Sequence, residues 1–252
     1  MLTTPKLNTE QIGEFKQNGF TIARGAFSRR DMAQITRWAE EVQALPEVSG
    51  RQWVFHEKSR LDPDRDLISR IEYISPFHSG FEELCSVLKQ PVAQLLGEEA
   101  VLFKEKINFK MPGGDGFKPH QDSQAGWQVY ADFFITVMVC IDEATIENGC
   151  LQLVAGHQRD GLYREWEPLN EADMAGMRFV HYPTKPGDVV YFDCYAPHAS
   201  EPNLTNTTRR MYFATYNRIS EGDHLAQYYA DKHKSYPPDI DRLAGKEYVF
   251  RV

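Results

Sequence analysis

The sequence is poor in cysteine, in long apolar runs and in positive charge, and each shortage excludes a class of protein. Its four cysteines form no Cys-x-x-Cys pair, which argues against a cysteine zinc site and favours buried free thiols in a reducing compartment. No apolar run approaches the ~20 residues of a membrane span, and no signal peptide is visible, so we expect a cytoplasmic protein without a membrane partner. With 28 basic against 36 acidic residues, the net charge of −8 argues against nucleic acid as a partner.

The periodicity of the chain changes at residue 100. Residues 1–99 are mostly helical in pattern, with capping signals at Asn8 and Ser28. From there the pattern predicts short strands separated by Gly, Pro and Asn turns: Ala100–Met111, Asp132–Asp142, Cys150–Val154, Arg178–Tyr182, Val189–Phe192 and Arg209–Tyr216. This favours a mainly β fold with flanking helices, a double-stranded β-helix or cupin-like jelly roll.

No repeat, low-complexity tract or linker divides the 252 residues. We therefore predict a single domain over 1–252, with a mostly helical flank (1–99), a β-helix core (100–216) and a C-terminal tail (217–252). Residues 47–77 predict a charged loop, a possible lid, with one short strand near Ile71–Ile74. The stretch from Ser79 to Leu96 predicts one or two helices, interrupted around Gln90-Pro91.

The stretch Lys118-Pro119-His120-Gln121-Asp122 carries a candidate metal site. On an extended segment His120 and Asp122 point to the same face, which brings one imidazole and one carboxylate together. A distant third ligand would complete a 2-His-1-carboxylate site for non-haem Fe(II). Roughly half an accidental His-x-Asp match is expected in a chain of this composition, so the motif alone is equally compatible with a loop-edge histidine near a surface aspartate.

His198 is the strongest candidate for the third ligand. It follows the apolar strand Val189–Phe192, and Pro197 stiffens the backbone that presents it. The other histidines lie in loops, in strands or in the polar tail: His56, His78, His157, His181, His224 and His233. Arg209, at the head of the last strand, offers a planar guanidinium to a carboxylate, although singly it would be read as a surface arginine.

The strand Ala100–Met111 has two distinct faces. Its apolar residues alternate with Lys104, Lys106, Asn108 and Lys110. If the strand lines a barrel, Lys106 and Asn108 face the interior, whereas Lys110, at the end, is expected to meet water.

Several stretches together resemble the phytanoyl-CoA dioxygenase family of Fe(II)/2-oxoglutarate oxygenases: Asn108-Phe109-Lys110, His120-Gln121-Asp122, Glu147-Asn148-Gly149-Cys150-Leu151 with Gly156-His157, Pro186-Gly187-Asp188, and His198 through Arg209. They span residues 100–216. The resemblance implies the double-stranded β-helix fold and an Fe(II)-, 2-oxoglutarate- and O2-dependent hydroxylase. It also implies that His120, Asp122 and His198 are the catalytic metal ligands.

The same resemblance assigns the co-substrate contacts. Arg209 matches the residue that pairs with the distal carboxylate of 2-oxoglutarate, and Asn108 and Ser200 match positions that hydrogen-bond the same molecule. The sequence departs from the family near Met138, where an aromatic residue is common. Related halogenating enzymes lack the carboxylate, so the presence of Asp122 implies hydroxylation.

The loop Ser123–Tyr130, directly after Asp122, is where we look for the substrate. Trp127 and Tyr130 are either part of an aromatic box for a cationic ammonium group or simply a cover for the core edge. Tyr195, beside His198, is a further candidate contact. Lys106 is expected to attract a phosphonate or a carboxylate, and Lys104 and Arg210 are weaker candidates for that role. A small zwitterionic substrate, with an ammonium group and an acidic group, would suit both the aromatic residues and the lysine.

The run from Phe109 to Trp127 further resembles the branch of the family that hydroxylates 2-aminoethylphosphonate and its N-methylated relatives, in phosphonate catabolism. Amino-acid-like compatible solutes and acyl-CoA are the alternative substrates. Two rival functions also stay open: a cupin-like metalloenzyme that does not use 2-oxoglutarate, and a non-catalytic jelly-roll binding protein.

Overall fold

Two antiparallel sheets line one cavity in the computed structural model, which describes residues 1–249. Within those residues the larger sheet has seven strands in the order β1-β9-β6-β11-β4-β3-β2, and the smaller sheet has four in the order β5-β10-β7-β8. The strands are β1 (Phe20–Ala23), β2 (Trp53–Lys58), β3 (Asp66–Glu72), β4 (Ala100–Lys110), β5 (Phe117–His120), β6 (Ile135–Cys140), β7 (Leu151–Leu153), β8 (Val180–His181), β9 (Val189–Asp193), β10 (His198–Ser200) and β11 (Arg209–Arg218). This mostly antiparallel architecture is the predicted jelly roll.

The centre of the larger sheet is the long antiparallel pair β4 and β11. The pair runs from Arg209 opposite Lys110 to Arg218 opposite Ala100, with β6 on the other side of β11. Alternation along β4 sends Ile107 and Phe109 into the main hydrophobic core, while the polar face is turned toward the cavity. Lys110, expected to meet water, is instead buried: its ammonium donates to the Ser200 hydroxyl and to the Glu201 carbonyl.

Four α-helices accompany the sheets within the described residues: α1 (Thr9–Asn18), α2 (Arg29–Ala44), α3 (Ser79–Leu96) and α4 (Leu225–Ser235). The predicted caps are present, because Asn8 and Ser28 each form a capping box at the start of α1 and α2. Helices α2 and α3 approach closely where Gly80 meets the ring of Trp38, since a Cβ at Gly80 would lie 2.3 Å from the indole.

Two expectations for the first hundred residues are wrong. The segment 47–77 contains two paired strands, β2 and β3, which extend the larger sheet beside β4. Phe55 and Ile71 anchor them in the interior, but a register shift after Phe55 and the charged residues of the connection obscure the alternation. Helix α3 is continuous, with Pro91 inside it and buried.

The predicted C-terminal tail contains α4, which packs against β4. Tyr228 and Tyr229 of this helix are buried in a cluster that includes Trp53 and Phe103. Residues 250–252 of the predicted tail lie outside the described residues. No helix in the described part of the chain has the length and apolar character needed to cross a membrane.

Candidate metal centre and active-site cavity

Strand pairing in the smaller sheet brings the two histidines of the predicted site together. β10 runs antiparallel to β5 with His198 directly opposite His120, and the imidazole centroids are 4.2 Å apart. Asp122 follows two residues after His120, and its Oδ1 lies 3.9 Å from His198 Nε2. The ligand atoms of the three side chains lie within 4.8 Å of one another, and no other such group of His, Cys, Asp or Glu occurs among residues 1–249.

Backbone carbonyls orient both imidazoles in the same way. His120 Nδ1 lies 2.7 Å from the Lys118 carbonyl, and His198 Nδ1 lies 3.0 Å from the Ala196 carbonyl. Because a carbonyl only accepts, each Nδ1 carries the proton that it donates, and each Nε2 keeps its lone pair. This is the tautomer that a metal-binding histidine needs.

The carboxylate is held by a hydroxyl from the larger sheet. Thr136 of β6 donates to Asp122 Oδ2 at 2.6 Å. Its hydroxyl also lies 3.0 Å from the hydroxyl of Thr215, its cross-strand partner on β11. Asp122 Oδ1 is not part of this contact and faces His198, so the side chain presents one oxygen to the centre.

The protonation states suit a divalent metal. Burial, with a smaller contribution from His198, lowers the pKa of His120 to about 3, and burial also lowers the pKa of His198. Burial by itself would raise the pKa of Asp122, but the charges of His198 and Lys104 outweigh it and lower that pKa. Two neutral imidazoles beside an ionised carboxylate are the donor set of a facial-triad Fe(II) site, so these residues fit the ion.

A second set of groups at the far end of β4 fits a carboxylate ligand. Arg209 is 4% exposed and lines the cavity, and burial lowers its pKa only to about 10, so it is cationic at neutral pH. Its Nε has no hydrogen-bond partner, and no carboxylate of residues 1–249 forms an ion pair with it. Asn108 Oδ1 is likewise buried and unpaired, and Ser200 lines the same wall. A buried cation without a counter-ion is costly, so this end suits the distal carboxylate of 2-oxoglutarate.

The candidate substrate residues are not all in the cavity, which has a volume of about 620 Å³. Lys104, Lys106, Trp127 and Tyr130 line it. Tyr195 is not among the lining residues, and its hydroxyl donates to the Asp132 carbonyl.

Arg210 and Trp127 were both expected to contact the substrate, and the structure places each of them differently. Arg210 binds Asp142 through two hydrogen bonds and does not line the cavity, because it points to the opposite face of β11 from Arg209. Trp127 is 2% exposed, and the ammonium of Lys104 lies 3.8 Å from its ring centroid. That face of the indole is therefore already occupied by a cation of the protein itself.

Sequence reasoning missed several cavity residues that come from distant segments. Glu72 at the end of β3 and Lys232 on α4 form an ion pair at the cavity wall. Thr136 is a polar residue within an otherwise apolar strand, and that signal in the sequence could have identified it. Nothing local distinguishes Lys232 from Lys234, the other lysine of α4.

Residues 15–211 match the phytanoyl-CoA dioxygenase (PhyH) family. The chain therefore belongs to the phytanoyl-CoA dioxygenase family. It is a dioxygenase of the Fe(II)/2-oxoglutarate type, and membership of the family implies iron and 2-oxoglutarate as its cofactor and co-substrate.

Within this family the chain is similar to two phosphonate-processing proteins over almost its whole length. It is 37% identical over 244 residues to 2-aminoethylphosphonate dioxygenase from an uncultured bacterium, with 95% of this chain and 92% of that protein covered. It is 35% identical over 245 residues to methylphosphonate hydroxylase from Gimesia maris, with 96% and 92% covered. Among solved structures, EctD from S. alaskensis with 2-oxoglutarate and 5-hydroxyectoine matches with a TM-score of 0.74 at 25% identity, covering 85% of this chain and 77% of that one.

Proposed function

We propose that this dioxygenase hydroxylates a C–H bond of a small zwitterionic phosphonate, 2-aminoethylphosphonate or an N-methylated derivative, using Fe(II), 2-oxoglutarate and O2. The observation that carries the proposal is the charge of the cavity. Beyond the metal ligands and Arg209, the wall carries Lys104 and Lys106, which pair with no carboxylate of residues 1–249, and Lys232, which pairs with Glu72. The other lining carboxylates, Glu105, Asp231 and Glu247, form no ion pair with these three lysines within the described residues. A positive wall favours an anionic substrate, and the named activities of the two relatives support a phosphonate.

Two groups of cavity residues would have separate roles. His120, Asp122 and His198 would hold Fe(II), and Arg209 with Asn108 and Ser200 would hold 2-oxoglutarate. Iron and 2-oxoglutarate, when bound, supply the oxidation of a C–H bond to an alcohol, with conversion of 2-oxoglutarate to succinate and CO2.

Other residues of the protein orient the ligand side chains and shield the cavity from water. Thr136 and the carbonyls of Lys118 and Ala196 fix the orientation of the three ligand side chains. Met138 and Phe192 provide apolar wall at the co-substrate side, so the departure from an aromatic residue at Met138 leaves a buried thioether there. Trp127 and Tyr228 close the other side and limit access of water.

A substrate panel tests the proposal. The enzyme with Fe(II), 2-oxoglutarate and O2 should release succinate in response to 2-aminoethylphosphonate or its N-methylated derivatives, with a hydroxylated product visible by phosphorus NMR. Compatible solutes and acyl-CoA serve as comparison substrates, because they are the alternative classes. Succinate release stimulated only by one of those classes would replace the phosphonate assignment.

An anaerobic titration separates the oxygenase from its two rivals. Adding 2-oxoglutarate to the Fe(II) protein should produce a visible metal-to-ligand absorption band. A metalloenzyme without 2-oxoglutarate chemistry would bind iron and give no band. A non-catalytic binding protein would give no succinate with any member of the panel.

A further inference from the structure

We propose that Lys104, Lys106 and Lys232 form the subsite that binds the phosphonate group of the substrate as a dianion. Two neighbours act as positioning residues, since Trp127 holds Lys104 and Glu72 holds Lys232. The inference rests on the proposed function, and goes further by locating the acidic group of the substrate and by assigning a role to the C-terminal helix α4.

Lys104 is placed at the level of the metal centre by strand register. It lies opposite Thr215 on β11, and Thr215 in turn lies opposite Thr136, whose hydroxyl binds Asp122. Its ammonium rests on the Trp127 ring at 3.8 Å and makes no hydrogen bond or ion pair with any residue of 1–249. A cation–π contact fixes the position of an ammonium group without neutralising it, so Lys104 remains available to an anion.

Lys106 lies two residues further along the same face of β4. Its ammonium is 5.7 Å from the Phe117 centroid and 5.6 Å from the Phe213 centroid, and it too forms no hydrogen bond or ion pair within the described residues. Two neighbouring lysines of one strand therefore line the cavity without a carboxylate partner within the described residues. Burial penalises the charged form of both: it lowers the pKa of Lys106 and brings the pKa of Lys104 well below its ordinary value. An arriving anion would remove that penalty.

Lys232 reaches the cavity from helix α4, which packs against β4. Its ammonium pairs with Glu72, whose other oxygen lies 2.8 Å from Arg70 Nε. One buried carboxylate is thus shared by two cations, and the cluster retains a positive charge. Burial alone would raise the pKa of Glu72, but Lys232 and Arg70 lower it to about 2, so Glu72 stays ionised and keeps Lys232 in place.

The charge count favours a dianion over a monoanion. Lys232 and Arg70 share the Glu72 carboxylate, and Lys104 and Lys106 line the cavity without pairing with any carboxylate of residues 1–249. A phosphonate has two negative charges when fully ionised and three acceptor oxygens, one for each lysine. The distal carboxylate of 2-oxoglutarate has its own proposed partner in Arg209. On β11, Arg209 lies four positions from the residue opposite Lys106 and six positions from the residue opposite Lys104.

This assignment gives Trp127 a different role from an aromatic box. An indole whose face is covered by Lys104 cannot offer that face to the ammonium of a substrate. Its position five residues after Asp122 instead couples the loop that leaves the metal to the lysine that meets the phosphonate.

Binding to the full-length enzyme with Fe(II) and 2-oxoglutarate, without O2, tests the subsite. We would measure the Kd of 2-aminoethylphosphonate and of β-alanine, its carboxylate analogue, by calorimetry. The wild type should prefer the phosphonate. Lys106→Met and Lys232→Met should each weaken phosphonate binding about ten- to hundredfold, as expected for loss of a hydrogen bond to a charged group, and reduce the preference over β-alanine.

Trp127→Phe and Lys234→Met complete the set. Trp127→Phe keeps an aromatic cover but is a weaker partner for Lys104, so it should reduce the phosphonate preference by a smaller factor and leave the Kd of 2-oxoglutarate unchanged. Lys234 lies on the same helix as Lys232, pairs with Asp231 and has a side chain that is 75% exposed. Lys234→Met therefore removes the same charge from a side chain that does not line the cavity. It should behave as wild type.

The outcomes distinguish this subsite from the proposed function. If the wild type hydroxylates the aminophosphonate while Lys106→Met and Lys232→Met match Lys234→Met in both Kd values, the subsite is wrong and the function stands. If phosphonate binding depends on the lysines but no succinate is released, the function is wrong and the subsite stands. If the wild type does not bind the phosphonate, both are wrong. Thermal melting of each variant identifies any that fails to fold, and either lysine variant is sufficient for the test.

Discussion

At the scale of single residues, neighbouring side chains of one strand have opposite roles. Arg209 points into the cavity with an unpaired Nε, whereas Arg210 is paired with Asp142 outside it. The alternation of a β-strand separates them, because successive side chains leave opposite faces. Thr136 also has a specific role, because its hydroxyl donates to the Asp122 carboxylate and orients it.

Arg209→Ala should chiefly raise the 2-oxoglutarate requirement, by about a hundredfold, because a buried charge pair would lose one partner. The concentration of 2-oxoglutarate at half-maximal succinate production measures this effect. Arg210→Ala is the matched control and should leave the requirement near the wild-type value. An unchanged requirement in Arg209→Ala would remove that residue from the co-substrate site.

Thr136→Val should weaken Fe(II) binding about ten- to hundredfold, because Asp122 loses the donor that orients it while the shape of the side chain is preserved. Anaerobic iron titration measures the loss. His198→Ala, which removes a ligand, should abolish iron binding or turnover. Thr215→Val, which removes only the neighbouring hydroxyl, should have the smaller effect; equal iron affinity in Thr136→Val and wild type would contradict this role.

At the scale of elements, the connection from β9 to β10 sets the position of His198. Asp193 Oδ1 accepts a hydrogen bond from the Tyr195 amide, and the Asp193 carbonyl accepts one from the Ala196 amide. Gln121, between the first two ligands, donates from its amide to the Tyr195 carbonyl. The two segments that carry the candidate metal ligands are thus joined by buried hydrogen bonds as well as by strand pairing.

Asp193→Asn should stabilise the protein at pH 8. Burial raises the pKa of Asp193 from its ordinary value of 3.8 to about 7. The folded protein therefore holds this proton where the unfolded chain has released it, so the contribution of Asp193 to stability falls as pH rises from about 4 to about 7. Asparagine keeps the acceptor for Tyr195 and removes the buried charge.

The expected gain in free energy of unfolding is up to about 4 kcal/mol at pH 8, from 1.36 kcal/mol per pKa unit, and near zero at pH 4. Thermal melting of the variant and the wild type at pH 4, 6 and 8 measures the difference. A difference that does not depend on pH would show that the charge of Asp193 is not its source.

At the scale of the whole molecule, the helical flank (1–99) and the C-terminal tail both pack against the β-helix core (100–216). Residues 1–99 provide three of the seven strands of the larger sheet, and helix α4 from the tail is buried against Trp53 and Phe103. The cavity is lined by residues of the core and of both flanks, and Glu72 from the first flank forms an ion pair there with Lys232 from the tail.

We therefore expect a single cooperative unfolding transition, as in small single-domain proteins. Differential scanning calorimetry should give one peak, with equal calorimetric and van't Hoff enthalpies. Two resolved peaks, or separate melting of α4 in a proteolysis experiment, would contradict the single domain over 1–252.

Much of the jelly roll could be predicted from local pattern. The alternation of β4, the apolar run of β6 and the capping boxes at Asn8 and Ser28 are properties of neighbouring residues, and the structure contains each of them. β2 was missed and β3 was predicted only as a short strand near Ile71–Ile74, because the register shift between the two strands breaks the alternation. Helix α4 was missed because it is short and largely polar.

The sequence by itself determined the donor set, since His120-x-Asp122 and a histidine after Pro197 are visible without a fold. Tertiary structure decided what surrounds it. Pairing of β5 with β10 brings His198 opposite His120, and packing of α4 brings Lys232 to Glu72 from 160 residues away. The role of Trp127 also depended on packing, because only the fold lays Lys104 over its ring. Contacts between distant segments leave no local pattern, whereas the two-residue spacing of His120, the last residue of β5, and Asp122 does.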